Sequence, residues 1–269
     1  MRIGNKAFES GTHIMGILNV TPDSFSDGGK WNNIDSALRH TEKMINDGAA
    51  IIDVGGESTR PGYTKISDDE EIARIVPVIE SIKARFDVPV SVDTYKSAVA
   101  EAALMVGADV INDIWGFKAD SKIAEVCKKY DVSCCLMHNR VNERYNDFFN
   151  DVLNDLRESI AIAKAAGIDD DKICIDPGVG FAKTFEQNLA ITQNVDLLKE
   201  LGYPVLLGTS RKSMIGLTLD LDRDNRVEGT LVTTVIAVMK GCLFVRVHDI
   251  MENYRAIRMA QALKNFERE

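Results

Sequence analysis

Residues 88–114, VPVSVDTYKSAVAEAALMVGADVINDI, contain the pattern that decides the fold. An apolar run of strand length, Val88–Thr94, opens this segment, and a second run, Val110–Ile114, closes it. Between them lies Gly107, a residue typical of the point where a helix ends and turns into a strand. Runs that are apolar nearly throughout are expected to be buried on both faces, as the strands of a parallel sheet are. The segment therefore predicts a strand–helix–strand unit.

The same unit recurs along the chain, with segments of helical spacing between the apolar runs. The candidate strands are His13–Val20, Ala50–Gly55, Val88–Thr94, Val110–Ile114, Ser133–Met137, Lys172–Asp176, Pro204–Gly208 and Cys242–His248. Helix-end glycines precede the next strand at Gly48, Gly107, Gly167, Gly202 and Gly241. This alternation predicts an α/β fold, a closed (β/α)8 TIM barrel, with residues 1–269 as a single domain and Met1–Gly11 as a short N-terminal hairpin or plug. An open doubly wound sheet is the alternative, but its G-x-G-x-x-G loop is absent after the first strand.

Each candidate strand also carries a polar residue at or near its end: Asn19, Asp53, Asp93, Asn112, His138, Asp176, Ser210 and His248. An unpaired polar group in a buried strand costs about 2–7 kcal/mol, so a repeated polar ending indicates a shared site. Three long strand-to-helix loops, Thr21–Asp35, Glu57–Ser67 and Asn139–Phe148, belong to the same face of the predicted barrel. Barrel enzymes keep their active sites at that C-terminal face. We therefore predict one polar site there.

Composition limits the classes of partner. The net charge of −9 argues against general binding to nucleic acid or to an anionic membrane. The chain shows no signal-peptide pattern and no apolar stretch long enough for a membrane span. Its five cysteines lack a C-x-x-C spacing and lie mostly in apolar runs, so we interpret them as reduced core thiols of a cytoplasmic protein.

Seven motifs in order carry a resemblance. They are N-V-T-P-D-S-F-S-D-G-G from Asn19, G-G-E-S-T-R-P-G from Gly55, S-V-D-T from Ser91, I-N-D-I from Ile111, D-P-G-V-G-F-A-K from Asp176, G-T-S-R-K-S from Gly208 and R-V-H-D from Arg246. At these spacings, from Ile14 to Asp249, the chain closely resembles the dihydropteroate synthase family.

The resemblance implies a transferase of folate biosynthesis. The enzyme would join 6-hydroxymethyl-7,8-dihydropterin diphosphate to 4-aminobenzoate, with Mg2+ as cofactor, and release diphosphate. Asp176 would accept the paired N–H donors of the pterin ring in a fork, which gives directional hydrogen bonds. Asp93, Asn112 and Lys212 would complete the pterin contacts.

The diphosphate needs cations and donors. Arg246 and His248 are two apart, so their side chains share one side of the last strand, and burying an unpaired arginine among the covering helices would be costly. The resemblance makes Arg246 and His248, with Lys212, the catalytic residues, and adds a hydroxyl from Thr59. It also assigns Mg2+ to the side-chain oxygen of Asn19. A single protein ligand suits this ion, because Mg2+ is coordinated mainly by water and phosphate oxygens.

For 4-aminobenzoate the resemblance implies a slot lined by Phe25, Pro61, Phe181, Lys212 and Ser213. Asp27 and Arg60 would pair across the first two loops. Asp53 and Asp113 are interpreted as residues that position loops, and His138 as a structural residue rather than a general base.

The implied mechanism is an SN1-like substitution, in which diphosphate leaves first and the aromatic amine then attacks the pterin-stabilised cation. Water would destroy that cation, so we expect the first two long loops to close over the site. Two alternatives remain open: a pterin-binding methyltransferase that passes a methyl group to cobalamin, and a paralogue that binds pterin without turnover. The resemblance further implies a homodimer and inhibition by sulfonamides.

Overall fold

The computed structural model describes residues 1–21, 30–57 and 64–266. Its main sheet has eight strands, all paired in parallel, in the order β8-β7-β6-β5-β4-β3-β10-β9. The strands are β3 (His13–Asn19), β4 (Ala49–Gly55), β5 (Val90–Asp93), β6 (Val110–Asp113), β7 (Ser133–Met137), β8 (Ile173–Asp176), β9 (Leu206–Leu207) and β10 (Phe244–Val247). A parallel bridge between Ile175 and Val205 joins the two ends of this order, so the sheet closes on itself. The predicted (β/α)8 barrel is confirmed, and the open sheet is excluded.

The N-terminal segment is both a hairpin and a plug. Strands β1 (Arg2–Ile3) and β2 (Lys6–Ala7) pair antiparallel. The side chains of Ile3 and Phe8 pack into the barrel interior against inward residues such as Met15 and Phe244. The hairpin therefore covers the end of the barrel opposite the predicted site.

Helices surround the barrel and follow the strands in sequence. They are α1 (Lys30–Asn46), α2 (Asp68–Arg85), α3 (Ser97–Met105), α4 (Lys122–Lys129), α5 (Phe148–Ala165), α6 (Phe185–Gln193), α7 (Ser213–Leu219), α8 (Val227–Lys240) and α9 (Ile250–Lys264). The first predicted loop is too long, because the chain predicted as loop up to Asp35 is already helical from Lys30. Helix α2 begins directly after Ser67, whose hydroxyl accepts a hydrogen bond from the Glu70 amide at 3.2 Å and so caps the helix. In the described part of the chain, no helix combines the length and apolar character that a membrane crossing requires.

Alternation along each strand separates two environments. On β10, Val245 and Val247 pack against the surrounding helices, whereas Phe244 lies in the barrel interior. Adjacent Cys134 and Cys135 divide in the same way between the outer core and the interior. Since side chains two apart share a face, Arg246 points inward above Phe244. The interior is thus apolar at the plugged end and polar towards the carboxyl ends of the strands.

Candidate active site

The sheet register brings polar strand endings into one layer. Asn19 pairs with Gly55, Gly55 with Asp93, and Asp93 with Asn112, across four neighbouring strands. Gly55 leaves a gap in this layer, and a Cβ at that position would lie 3.8 Å from both Asn19 Oδ1 and Asp93 Oδ2. The side-chain oxygens of Asn19 and Asp93 therefore border the same space at the mouth of the barrel.

Arg246 lies between two carboxylates. Its Nε donates to Asp53 Oδ2 at 2.6 Å and its Nη2 donates to Asp93 Oδ2 at 2.7 Å. Burial would lower the pKa of Arg246, but the two carboxylates outweigh it and raise that pKa above its usual range. Burial raises the pKa of Asp93 to about 7, with Arg246 opposing the shift and Asp53 adding to it. Asp53 lies within β4 rather than at its end, one layer below the mouth. It therefore contacts the site only through other residues: it accepts from Arg246, and the Nδ2 atom of Asn112 lies 3.5 Å from its Oδ2.

Two carboxylate oxygens in this cluster lack a partner. Oδ1 of Asp53 and Oδ1 of Asp93 are buried, and neither accepts a hydrogen bond within the described residues. A buried acceptor left unpaired costs about 1–3 kcal/mol, so such atoms point to a ligand that supplies donors.

Asp176, at the end of β8, lies beside a lysine and opposite Arg246. Its Oδ1 accepts a hydrogen bond from the Gly178 amide at 2.6 Å, and burial raises its pKa despite nearby Lys212. A Cβ at Gly208 would lie 3.5 Å from Asp176 Oδ2 and 3.8 Å from Arg246 Cβ. Asp176 and Arg246 thus flank one small space, left open because residue 208 has no side chain.

Lys212, the residue before α7, is a second charged neighbour of Asp176. Its Nζ donates to the Val179 carbonyl and lies 4.6 Å from the centre of the Phe181 ring. Burial lowers the pKa of Lys212 to about 8, and Asp176 opposes that shift. Ser213 follows as the first residue of α7 and is exposed.

His248 is oriented by Ser210. The Ser210 hydroxyl oxygen accepts a hydrogen bond from the His248 amide at 3.1 Å and lies 2.9 Å from His248 Nδ1. Burial, reinforced by Arg246, lowers the pKa of His248 to about 3, so the imidazole is neutral. If the hydroxyl donates its proton to Nδ1, the proton of the ring lies on Nε2, where it is available as a donor.

Two of the predicted residues lie away from this layer. Asp113 is fully buried and accepts hydrogen bonds from the amides of Trp115 (2.7 Å) and Phe117 (2.8 Å), so it holds the loop after β6, as its interpretation from sequence stated. His138 is also fully buried and contacts Asp155 of α5 instead of the mouth. The predicted residues Phe25, Asp27, Thr59, Arg60 and Pro61 lie outside the described residues.

Sequence reasoning missed two buried lysines. Lys183 contacts His138 behind the loop after β8, and Lys96 joins Glu57 to Glu71 below the second long loop. A lysine inside a short, glycine-rich loop, as in D-P-G-V-G-F-A-K, was the available signal for Lys183. Lys96 carried no comparable signal, because its partners are 39 and 25 residues away.

Comparison with known proteins agrees with this geometry. Residues 15–248 match the family model described as pterin binding enzyme. A dihydropteroate synthase of Clostridium beijerinckii is 60% identical over 98% of this chain and 99% of its own length. The crystal structure of the Clostridium difficile dihydropteroate synthase, determined in the presence of pteroic acid, is 49% identical, with a TM-score of 0.94 over 97% of this chain and 100% of that one.

A second solved structure comes from a more distant relative. The Xanthomonas albilineans dihydropteroate synthase with 4-aminobenzoic acid is 39% identical, with a TM-score of 0.91 over 96% of this chain and 94% of that one. The relatives match over nearly their whole length and are dihydropteroate synthases, at up to 60% identity, which favours this family over a pterin-binding methyltransferase. The chain therefore belongs to the pterin-binding enzymes and, within them, to the dihydropteroate synthases, the transferases of folate biosynthesis.

Proposed function

We propose that the site at the barrel mouth binds 6-hydroxymethyl-7,8-dihydropterin diphosphate and 4-aminobenzoate and joins them to form 7,8-dihydropteroate and diphosphate. The observation that carries this assignment is that Asp176 and Arg246 flank the space over Gly208. One small molecule can touch a carboxylate suited to its ring and a cation suited to its leaving group. Structures of relatives with pteroic acid and with 4-aminobenzoic acid support the same pair of substrates.

The pterin ring would lie between Asp176, Asn112, Asp93 and Lys212. Asp176 is held by the Gly178 amide through Oδ1, so its orientation is set before substrate arrives. The unpartnered Oδ1 of Asp93 would receive a donor from the ring. Lys212 would donate to the carbonyl side of the ring.

The diphosphate would be received by Arg246 and His248, together with Thr59. Two of the five N–H groups of Arg246 are engaged by Asp53 and Asp93, and the others can donate to phosphate oxygens. Neutral His248 would act as a hydrogen-bond donor through Nε2 rather than as a cation. Both residues stabilise negative charge that develops as diphosphate departs, and this accounts for catalysis without an enzyme nucleophile. We therefore retain the SN1-like substitution, with attack by the aromatic amine on the cation left at the pterin methylene.

The 4-aminobenzoate would bind beside Phe181, Lys212 and Ser213. Phe181 and Lys212 lie against each other at 4.6 Å, so an apolar ring and a cation are presented together. That combination fits a benzene ring with a carboxylate. Phe25 and Pro61 remain predictions for the same slot.

Magnesium fits the described residues as a weakly held ion. The described part of the chain contains no group of three or more acidic, histidine or cysteine side chains able to hold a metal. Asn19 Oδ1, bordering the gap at Gly55, would provide a single ligand, which suits Mg2+ because this ion keeps its waters and takes phosphate oxygens. When bound, it would supply positive charge to the diphosphate.

A homodimer is supported by one apolar face. Helices α6, α7 and α8 contact one another. They expose six large apolar side chains, Leu189, Leu217, Leu219, Val232, Val235 and Met239, and Leu221, which follows α7, is a seventh. A patch of this kind on a globular protein usually marks an interface. We propose that a second copy of this chain covers it.

We also propose a cytoplasmic location, because all five cysteines are free and buried. We propose a single domain, because the barrel accounts for the elements from Arg2 to Lys264.

The deciding experiment measures diphosphate release from the pterin substrate with and without 4-aminobenzoate and Mg2+. We expect release coupled to dihydropteroate formation, and loss of both when Mg2+ is chelated. Asp176→Ala should weaken binding of the pterin diphosphate in calorimetry by about 2–3 kcal/mol, because a charged acceptor of ring donors is removed. Unchanged binding in this variant would refute the assignment of Asp176, and binding without any turnover would favour a non-catalytic paralogue.

A further inference from the structure

Lys183 is a buried lysine directly behind the pterin site. It is 5% exposed and lies in the connection between β8 and α6, one residue before the N-cap Thr184. Its Nζ donates to the carbonyl oxygens of Gly178 at 3.0 Å and of Phe181 at 3.1 Å, and it lies 2.8 Å from Nδ1 of His138. A buried ammonium group needs an acceptor for each of its three donors, and these contacts supply all three.

The histidine in this cluster has a defined tautomer. Hydrogen bonds from His138 and Arg140 outweigh burial and hold the pKa of Asp155 below its usual range, so this carboxylate can only accept a hydrogen bond from Nε2 of His138. Nδ1 is then the acceptor that faces Lys183, whose pKa burial lowers to about 7. Burial lowers the pKa of His138 to about 4, so the ring is neutral and carries its proton on Nε2. That nitrogen donates to Asp155 Oδ2 at 2.9 Å, and Asp155 is held in turn by Arg140, whose Nη2 donates to Oδ1 at 3.2 Å. A chain of directed hydrogen bonds thus runs from α5 to the loop after β8.

The loop that Lys183 holds has an unfavourable backbone. Gly178 (φ 68°), Gly180 (φ 83°) and Ala182 (φ 44°) are all left-handed, a conformation that glycine tolerates but that is unfavourable for the alanine because of its Cβ. Such a shape persists only where its surroundings hold it. Lys183 does so by binding two of the carbonyls within five residues of the same loop.

The opposite face of this loop forms part of the site. The Gly178 amide donates to Asp176, the Val179 carbonyl accepts from Lys212, and the Phe181 ring lies against Lys212. We propose that Lys183, held by His138 and Asp155, is a positioning residue that keeps this loop, and through it Lys212, in the geometry that binds the pterin. This inference rests on the proposed assignment of Lys212 to the pterin ring.

The test is a double-mutant cycle on pterin affinity. Calorimetric titration with the pterin diphosphate would be done on the full chain, on Lys183→Met, on Lys212→Met and on the double variant. Lys183→Met should weaken binding by at least about tenfold, the value of one hydrogen bond to a charged group. Because Lys183 acts through Lys212, the double variant should bind about as weakly as Lys212→Met alone. A lysine that only stabilises the fold would lower the unfolding midpoint and leave affinity unchanged.

A second pair of variants covers the case in which Lys183→Met does not fold. Asp155 and Asp151 lie one turn apart on α5 and both contact Arg140, but only Asp155 contacts His138. Asp155→Asn should weaken pterin binding, whereas Asp151→Asn should not. Equal affinity in both variants, or additive losses in the cycle, overturns the positioning role. Unchanged affinity in Lys212→Met refutes instead the assignment of Lys212 to the pterin.

Discussion

Lys96 offers the sharpest test of the energetics of this barrel. Its Nζ lies 2.7 Å from Glu57 Oε2, 2.7 Å from Glu71 Oε2 and 2.9 Å from the Ile66 carbonyl oxygen. The three charged side chains are 6%, 2% and 1% exposed, in the order Lys96, Glu57 and Glu71. The cluster therefore contains one buried cation for two buried carboxylates.

Replacing Lys96 by methionine should destabilise the protein strongly. Removing one partner of a buried ion pair costs about 3–5 kcal/mol, because the charge left behind is neither solvated nor paired. The loss would be measured as the free energy of unfolding in urea. Lys129→Met is the matched control: Lys129 pairs with Glu101 at 2.6 Å, but their side chains are 64% and 40% exposed, so the loss of this pair should change the free energy of unfolding far less than the loss of Lys96.

The loss should also depend on pH in a defined direction. Burial already raises the pKa of Glu71, whereas hydrogen bonds from Lys96 and Tyr95 outweigh burial and lower that of Glu57. Without Lys96 both folded-state pKa values should lie above the unfolded value of about 4.3. A raised carboxyl pKa contributes stability below the unfolded pKa, and this is lost as pH rises through the folded one. The deficit of Lys96→Met should therefore shrink between pH 8 and pH 5.

Removal of the two carboxylates should rescue the variant that lacks Lys96. Combining Lys96→Met with Glu57→Gln and Glu71→Gln removes all three charges and should recover most of the loss. A deficit below about 1 kcal/mol that is the same at pH 5 and pH 8 would show that the buried charges are not coupled as described.

The remaining predictions concern one backbone position and one surface. Gly178→Ala should cost at least about 3 kcal/mol in unfolding free energy, because φ is +68° and the new Cβ would lie 1.9 Å from the His138 carbonyl oxygen. Gly202→Ala, also left-handed but with nothing within 4 Å, should cost only about 1–2 kcal/mol, and equal losses would contradict the steric argument. Val235→Asp should shift the protein to monomer in sedimentation equilibrium, whereas Met105→Asp, at an exposed side chain that ends α3, should not. An unchanged mass for Val235→Asp would place the interface elsewhere.

The order of strands and helices was predictable because it depends on local pattern. Apolar runs buried on both faces, helix-end glycines and the period of two along β10 identify the barrel and the inward side of Arg246. The polar endings identify the mouth, since all parallel strands of a barrel end at one face. The family resemblance added the chemistry.

The contacts among the buried charged residues behind the site were not predictable from local sequence pattern. From sequence alone it follows that Asp93, Asn112, Asp176 and Arg246 lie at or near the carboxyl ends of strands in one closed sheet, because strand period and sheet direction are properties of short segments. The folded chain was needed to show that Asp53 shares Arg246 with Asp93, 153 residues from that arginine, and that Lys183 contacts His138 across 45 residues. The physical reason is that a buried charge can be paired by any residue the fold brings within about 3 Å, and sequence separation carries no information about that distance.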